Sequence, residues 1–112
     1  MLEVFIGSGL GGVVRYLFGL LSVKIFNDSW PGTMLVNVLG SCAIVFVFQK
    51  SLIHDDRLNK VLIIGFLGGF TTFSSFSLEV FTKINQGHLS QAILILLLNI
   101  LLGVIMGIFI FR

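Results

Sequence analysis

The sequence predicts an all-α integral membrane protein with four transmembrane helices, and three observations support this prediction. Of the 112 residues, 56% are hydrophobic and 11% are charged, whereas about a quarter of the residues in a soluble domain carry charge. Four apolar runs each approach or exceed the ~20 residues needed to cross a hydrocarbon core. Alternating strands typical of outer-membrane barrels are absent, so each crossing segment must form a helix to satisfy its main-chain hydrogen bonds. The runs are Val4–Val23, Thr33–Gln49, Val61–Phe81 and Leu89–Phe111.

The first two spans are connected by a polar link that indicates where one ends and the next begins. In the first span, Gly7 and Gly11 lie four residues apart and allow another backbone to approach closely. In the link "KIFNDSWPG", Trp30 suits a membrane interface, and Pro31 suits the first turn of the following helix. The second span then carries one strongly polar side chain in its outer half, Asn37.

The third span contains the stretch "GGFTTFSSF", residues 68–76. Two glycines followed by two threonines make a poor continuous helix. Broken backbone at membrane depth is tolerated only where protein or a cavity solvates it, and transporters use such breaks to bind ions. We therefore expect the third helix to be broken in mid-membrane. The fourth span has few features besides Asn99 and the small pair Gly103 and Gly107.

Short links between the spans predict one up-down-up-down bundle over residues 1–112, with both termini and the second link on the same side. That side carries four basic residues and the other side two, which favours a cytoplasmic N-terminus but leaves insertion in both orientations open. The two sets are Lys50, Arg57, Lys60 and Arg112, and Lys24 and Lys83.

The sequence lacks the patterns of several other functional classes. It has no Cys/His metal cluster, no Ser-His-Asp set and no phosphate-binding glycine loop, so enzyme activity is not predicted. No basic run points to nucleic acid. Glu3 stands where a signal peptide would carry positive charge, so no removable signal is expected. The single cysteine, Cys42, excludes an intrachain disulfide.

Three polar side chains within the apolar runs have alternative interpretations. Arg15 lies near the middle of the first span, where a cation costs ~2.5–3.5 kcal/mol; it either faces an anion-lined vestibule or extends along the helix to an interface. Asn37 either holds neighbouring helices together or offers its two N–H donors to an anion. Glu79 is either an interfacial carboxylate or a pore-side partner of a cation or a hydroxyl.

The stretch in the third span could line an ion path. Its hydroxyl groups could simply bond to carbonyls one turn earlier, and its phenylalanines could simply pack. However, an aromatic ring is positive at its edge, and conduction requires sites that bind an ion and release it. Hydroxyls, ring edges and freed N–H groups therefore suit a small anion such as fluoride, and freed carbonyls suit a hard cation. The hydroxyl residues are Thr71, Thr72, Ser74 and Ser75, and the phenylalanines are Phe70, Phe73 and Phe76.

The segments "GLGGVVRY", "GTMLVNVLGS" and "GFLGGFTTFSSFSLE" resemble, in this order and spacing, the small bacterial Fluc/CrcB fluoride channels, and the resemblance covers nearly the whole chain. It implies a passive channel in the bacterial cell membrane that exports cytoplasmic fluoride. It also implies an antiparallel dimer with two pores, each lined by both subunits. A structural sodium ion at the dimer centre would be held by main-chain carbonyls of Gly68 and Thr71. The implied fluoride pathway comprises Phe73, Phe76, Asn37, Ser74, Ser75, Thr72, Arg15 and Glu79.

The chain departs from this family in its fourth span. The family often has a tyrosine and, four residues later, a serine facing the pore, where this chain has Ile95 and Asn99. The partner in the dimer is therefore either an identical chain or a paralogue, and in the latter case one pore can be degenerate. A small multidrug exporter is a further alternative, but such proteins depend on a carboxylate deep in the first helix. Here the embedded residue is Arg15, and Glu3 lies at the end of the helix.

Overall fold

The computed structural model describes residues 1–112, and all of its regular structure is helical. Four helical segments are long and apolar enough to cross a membrane, as the sequence predicts. The molecule measures 48 × 32 × 22 Å along its principal axes. The four spans are Leu2–Phe26, Trp30–Lys50, Asp56–Asn85 and Leu89–Phe111.

The first two spans are each one uninterrupted helix. Helix α1 (Leu2–Phe26) ends at Asn27, whose φ of 58° is left-handed and whose N–H closes onto a carbonyl of the last turn, a common way for a helix to end. Helix α2 (Trp30–Lys50) has its proline in the first turn, as predicted, and ends at a second left-handed residue, Ser51.

The third span is broken in mid-course. It consists of α3 (Asp56–Asn59), a π-helical segment (Lys60–Leu67), α4 (Gly68–Phe70) and α5 (Phe73–Asn85). Both glycines of the motif are helical, and the interruption falls on Thr71 and Thr72, which have extended backbone. The Thr72 hydroxyl accepts a hydrogen bond from the N–H of Ser75, so it caps the helix that follows. The predicted break is therefore confirmed, two residues beyond the Gly-Gly pair.

The fourth span contains α6 (Leu89–Leu97), a π-helical turn (Leu98–Leu102) and α7 (Gly103–Phe111). No sequence pattern had indicated either π-helical segment. The turn in the fourth span includes Asn99, and such turns are frequent at functional sites.

Helix α1 packs directly on the backbone of the third span. A Cβ atom added to Gly7 would overlap the carbonyl oxygen of Val61, and one added to Gly11 would overlap that of Phe66. The close approach predicted from the glycine spacing is confirmed, and the third span is its partner. Among the larger side chains, only Val36 and Ile95 are fully buried. Most other apolar side chains face outward, as expected of a chain whose solvent is lipid.

Candidate ion pathway at the broken helix

The side-chain amide of Asn37 holds the break open. Its Nδ2 donates to the carbonyl of Thr72 at 2.9 Å, and its Oδ1 accepts from the N–H of Thr72 at 2.7 Å. The amide therefore pairs with both main-chain groups of one residue, much as a neighbouring strand would. A buried main-chain group without a partner is costly, so this pairing stabilises the extended conformation.

The Asn37 amide also bonds to the fourth span. Its second N–H donates to Oδ1 of Asn99 at 2.8 Å, and Nδ2 of Asn99 donates to the carbonyl of Ile95 at 2.9 Å. Asn37 thus has acceptors within the chain for both of its N–H groups, the groups that the sequence suggested it could offer to an anion. The bonds to helices of the third and fourth spans match the helix-holding alternative for this residue.

Arg15 is anchored on the same break. Its Nε donates to the carbonyl of Gly69 at 3.0 Å, so the side chain crosses to the third span and does not extend along α1 toward an interface. The two terminal nitrogens make no hydrogen bond within the chain. Arg15 lines a groove beside the break, so its positive charge lies at that groove.

The main-chain carbonyls of Gly68 and Thr71, both at the break, accept no hydrogen bond. In a continuous helix they would accept from the N–H groups of Thr72 and Ser75. Here the Thr72 N–H turns to Asn37, and the Ser75 N–H turns to the Thr72 hydroxyl. No other donor in the chain replaces them. These are the two carbonyls that the family resemblance assigns to sodium.

The phenylalanines of the motif separate into two environments. Phe70, before the break, is 7% exposed and packs against Phe66 and Phe18. Phe73 and Phe76 follow the break, with ring centroids 5.3 Å apart and planes at 66°, so one ring presents its edge to the other. Phe76 is 4% exposed, whereas Phe73 is 77% exposed.

The predicted pathway residues lie on two sides of the break. We call the first side the amide groove, which has a volume of about 580 Å³ and is lined by both pathway phenylalanines and both asparagines. We call the second side the arginine groove, of about 490 Å³, lined by Arg15, Ser75 and Glu79. Thr72 lines both grooves. Ser74 lines neither, but its hydroxyl lies 3.2 Å from that of Thr72.

Glu79 is bound by hydroxyl groups of the link and of the second span. Its Oε1 accepts from Thr33 Oγ1 at 2.6 Å and from Ser29 Oγ at 3.0 Å, and its Oε2 is buried without a partner. Of the alternatives drawn from the sequence, the hydroxyl-bonded one fits this geometry. The sequence analysis did not single out Thr33 or Ser29. A signal was present for Thr33, because it lies four residues before Asn37 and so shares its helix face.

The two fourth-span positions that depart from the family pattern have different surroundings. Ile95 is completely buried and lines neither groove. Asn99 lines the amide groove and also a third hollow, which lies between the second and fourth spans. Ser41 and Arg112 line this third hollow as well. Of these two residues, only Asn99, at the position where the family often has a serine, therefore lines the amide groove.

Comparisons with known proteins agree over nearly the whole chain. The family model described as "CrcB-like protein, Camphor Resistance (CrcB)" matches residues 2–110. The chain is 39% identical over 107 residues to the fluoride-specific ion channel FluC of Coxiella burnetii (strain Dugway 5J108-111), covering 91% of this chain and 86% of that protein. It is 41% identical over 108 residues to the protein of the same name from Methylobacterium sp. (strain 4-46), covering 92% and 86%. For Dehalococcoides mccartyi (strain CBDB1) the identity is 42% over 104 residues, covering 89% and 80%.

Proposed function

The chain belongs to the CrcB-like family, and we propose that it is a fluoride-selective channel through which fluoride leaves the cytoplasm passively. The observation that carries this proposal is the break at Thr71 and Thr72, where ring edges, hydroxyls and an arginine line open grooves in a membrane-spanning helix. Hydrogen fluoride enters cells as a neutral weak acid and dissociates inside. The membrane potential, negative inside, then drives the anion out, so the channel needs neither an enzyme site nor a nucleotide.

The pores lie at the interface of an antiparallel dimer in the bacterial cell membrane. Two features of the single chain support this assembly. Both grooves are open on the surface, and an ion crossing a bilayer needs a path closed from lipid. Phe73, adjacent to the break, is 77% exposed, although its neighbour Phe76 is buried. A second copy in the opposite orientation would cover the two grooves and the exposed ring of Phe73.

A sodium ion at the dimer centre fits the residues of the break. The carbonyls of Gly68 and Thr71 have no hydrogen-bond donor in the chain, and carbonyl oxygens are suitable ligands for a hard cation. These two carbonyls would hold the ion together with the same pair from the partner subunit. The ion supplies positive charge that offsets the exposed main-chain dipoles.

The fluoride pathway follows the two grooves. In the amide groove, Phe73 and Phe76 offer ring edges, which attract an anion weakly, and Asn37 and Thr72 form the polar wall. In the arginine groove, Arg15 supplies positive charge and Ser75 a hydroxyl, while Glu79 is held by other hydroxyls. The Ser74 hydroxyl, beside that of Thr72, extends the polar track. Ring edges and hydroxyls bind without trapping, which is what conduction requires.

Fluoride efflux from liposomes that contain the purified chain tests the proposed pathway. Phe73→Ile and Phe76→Ile remove the ring edges and should reduce the efflux rate strongly while the dimer remains intact by gel filtration. Phe5→Ile is the matched control, because Phe5 is also 77% exposed but lies far from the break in sequence. Efflux at the wild-type rate from both pathway variants would remove these rings from the path.

A second candidate is an obligate subunit of a heteromeric fluoride channel with one degenerate pore. It is favoured by Ile95, an apolar residue at a position where the family often has a pore-facing tyrosine. In that case the lone chain gives no efflux, and adding a paralogous subunit restores it. In either assembly, Asn37→Asp should impair efflux, because a carboxylate repels the anion and cannot donate to Thr72. Unchanged efflux in this variant would show that Asn37 acts only in packing.

A further inference from the structure

A hollow of about 570 Å³ lies at the end of the molecule that carries the second link, and none of the proposed pathway residues lines it. It extends along α2 from Ser51 to Ile44, which is seven residues or about 10 Å of helix. Because the second span ends at Lys50, the hollow runs from the membrane surface into the hydrocarbon region. We call it the interfacial hollow. Its apolar walls come from the second and third spans and from α7, and include Val47, Phe48, Ile63 and Phe111.

Three polar side chains line the interfacial hollow at the level of the second link, and none of them makes a hydrogen bond within the chain. They are Ser51, His54 and Asn59, and each of them can donate a hydrogen bond. A fourth polar residue, Gln49, joins two of the walls, because its Nε2 donates to the carbonyl of Phe111 at 2.6 Å. The hollow thus combines apolar walls with a few convergent donors, as ligand sites do.

The charges around the interfacial hollow favour an anion. No acidic side chain lines it, and the two carboxylates of the second link are engaged elsewhere. Asp55 accepts from two N–H groups at the start of α3, and Asp56 pairs with Lys60 at 2.6 Å. Lys50 and Arg112 each adjoin a lining residue in sequence, and neither side chain has a salt bridge or a hydrogen bond within the chain.

We propose that the interfacial hollow binds one phospholipid with an anionic headgroup. Its phosphate accepts hydrogen bonds from Ser51, His54 and Asn59, Lys50 and Arg112 supply the positive charge, and one acyl chain covers the apolar walls. Basic pockets between transmembrane helices bind anionic headgroups in this way. A soluble phosphate would leave the apolar walls uncovered, so the depth of the hollow favours a lipid. This inference requires only that the chain spans a membrane, and it does not depend on the proposed channel function.

Two measurements on the detergent-solubilised chain test the site. The first is the apparent Kd for phosphatidylglycerol, obtained by counting bound lipids in native mass spectrometry. The second is the rise in melting temperature on adding lipid, which reports binding to the folded state. Phosphatidylcholine with the same acyl chains is the comparison for headgroup charge, and glycerol phosphate is the comparison for a headgroup without chains. We expect phosphatidylglycerol to stabilise the chain more than either of them.

Substitutions at the mouth and in the wall locate the binding. Lys50→Gln and Arg112→Gln should each raise the Kd for phosphatidylglycerol roughly fivefold, the effect of removing one cation near anionic lipid. Arg57→Gln is the matched control. Arg57 is a cation of the same end without a salt bridge, but it lies two residues before Asn59 on α3 and so faces another side of that helix.

Val47→Trp fills the hollow and should abolish the stabilisation by phosphatidylglycerol. Its control is Val13→Trp, because Val13 is 58% exposed on α1 and lines neither this hollow nor the arginine groove. Both controls should bind phosphatidylglycerol as the wild-type chain does. The two charge variants change exposed side chains, so they test the site even if Val47→Trp does not fold.

Four results would overturn the inference. Equal stabilisation by phosphatidylglycerol and phosphatidylcholine would show that headgroup charge is not recognised. Equal stabilisation by glycerol phosphate would show that the apolar walls hold no acyl chain. The same loss of affinity in Arg57→Gln as in Lys50→Gln would indicate general attraction to the basic surface. If the wild-type chain binds no phosphatidylglycerol and Val47→Trp separates the subunits in gel filtration, the hollow is covered by a second copy of the chain.

Discussion

Replacing Asn37 by leucine, which has nearly the same size, should destabilise the folded chain because it removes three hydrogen bonds at the break. The bonds to the N–H and carbonyl of Thr72 measure 2.7 and 2.9 Å, and the bond to Asn99 measures 2.8 Å. If each bond is worth the ~0.6 kcal/mol typical of interhelical bonds in membranes, the loss is about 2 kcal/mol. If both groups of Thr72 remain buried without partners, the loss approaches about 6 kcal/mol. We therefore expect the free energy of unfolding to fall by about 2–6 kcal/mol.

The assay is reversible unfolding of the detergent-solubilised chain by added denaturing detergent, together with hydrogen exchange at the Thr72 amide. The matched control is Ser41→Ala, one helical turn further along α2, because Ser41 lines the same groove and makes no hydrogen bond within the chain. The control should change stability by no more than about 0.5 kcal/mol. Equal stability of Asn37→Leu and the control, with unchanged exchange at Thr72, would refute the role assigned to this amide.

Three further substitutions test the packing around the site. Gly11→Val places its side chain against the backbone of the third span and should destabilise the chain by about 1–3 kcal/mol. The control Gly9→Val meets open space and should not destabilise it. Equal melting temperatures of the two variants would contradict the close approach of α1 to the third span. Gly40→Ala would overlap the methyl group of Thr71 and should lower the melting temperature. Adding Thr71→Ser removes that methyl group and should restore the melting temperature. If the double variant is not restored, the contact between Gly40 and Thr71 is contradicted. Thr33→Val removes a 2.6 Å hydrogen bond to the carboxylate in the arginine groove, so unfolding should become easier by about 1.5–3 kcal/mol; no change would show that the carboxylate is held by other groups.

Composition and the 68–76 motif were sufficient to predict the four spans and the break. Lipid leaves few options for the main chain, so long apolar runs identify the helices directly. The exact position of the break could not be predicted from the sequence. The two glycines are the weakest helix formers of the motif, yet they remain helical, because the groups that compensate for lost helical bonds lie at Thr72, where Asn37 reaches. That pairing joins residues 35 apart and has no local signature.

The division of the pathway residues between two grooves also depends on tertiary structure. A regular helix would place Phe70, Phe73 and Phe76 along one stripe, but the two extended residues change the register, so Phe70 packs in the core and the other two line a groove. The hydroxyl partners of Glu79 depend in turn on how the second span lies against the third. The π-helical turn at Asn99 had no signal among its apolar neighbours.

The most direct test of the account is fluoride efflux from liposomes that contain this chain alone, with potassium and valinomycin setting the membrane potential. The account predicts rapid efflux of fluoride down its electrochemical gradient, independent of any proton gradient, and no comparable efflux of chloride. Fluoride retention equal to that of protein-free liposomes, from protein that gel filtration shows to be folded and dimeric, would contradict it.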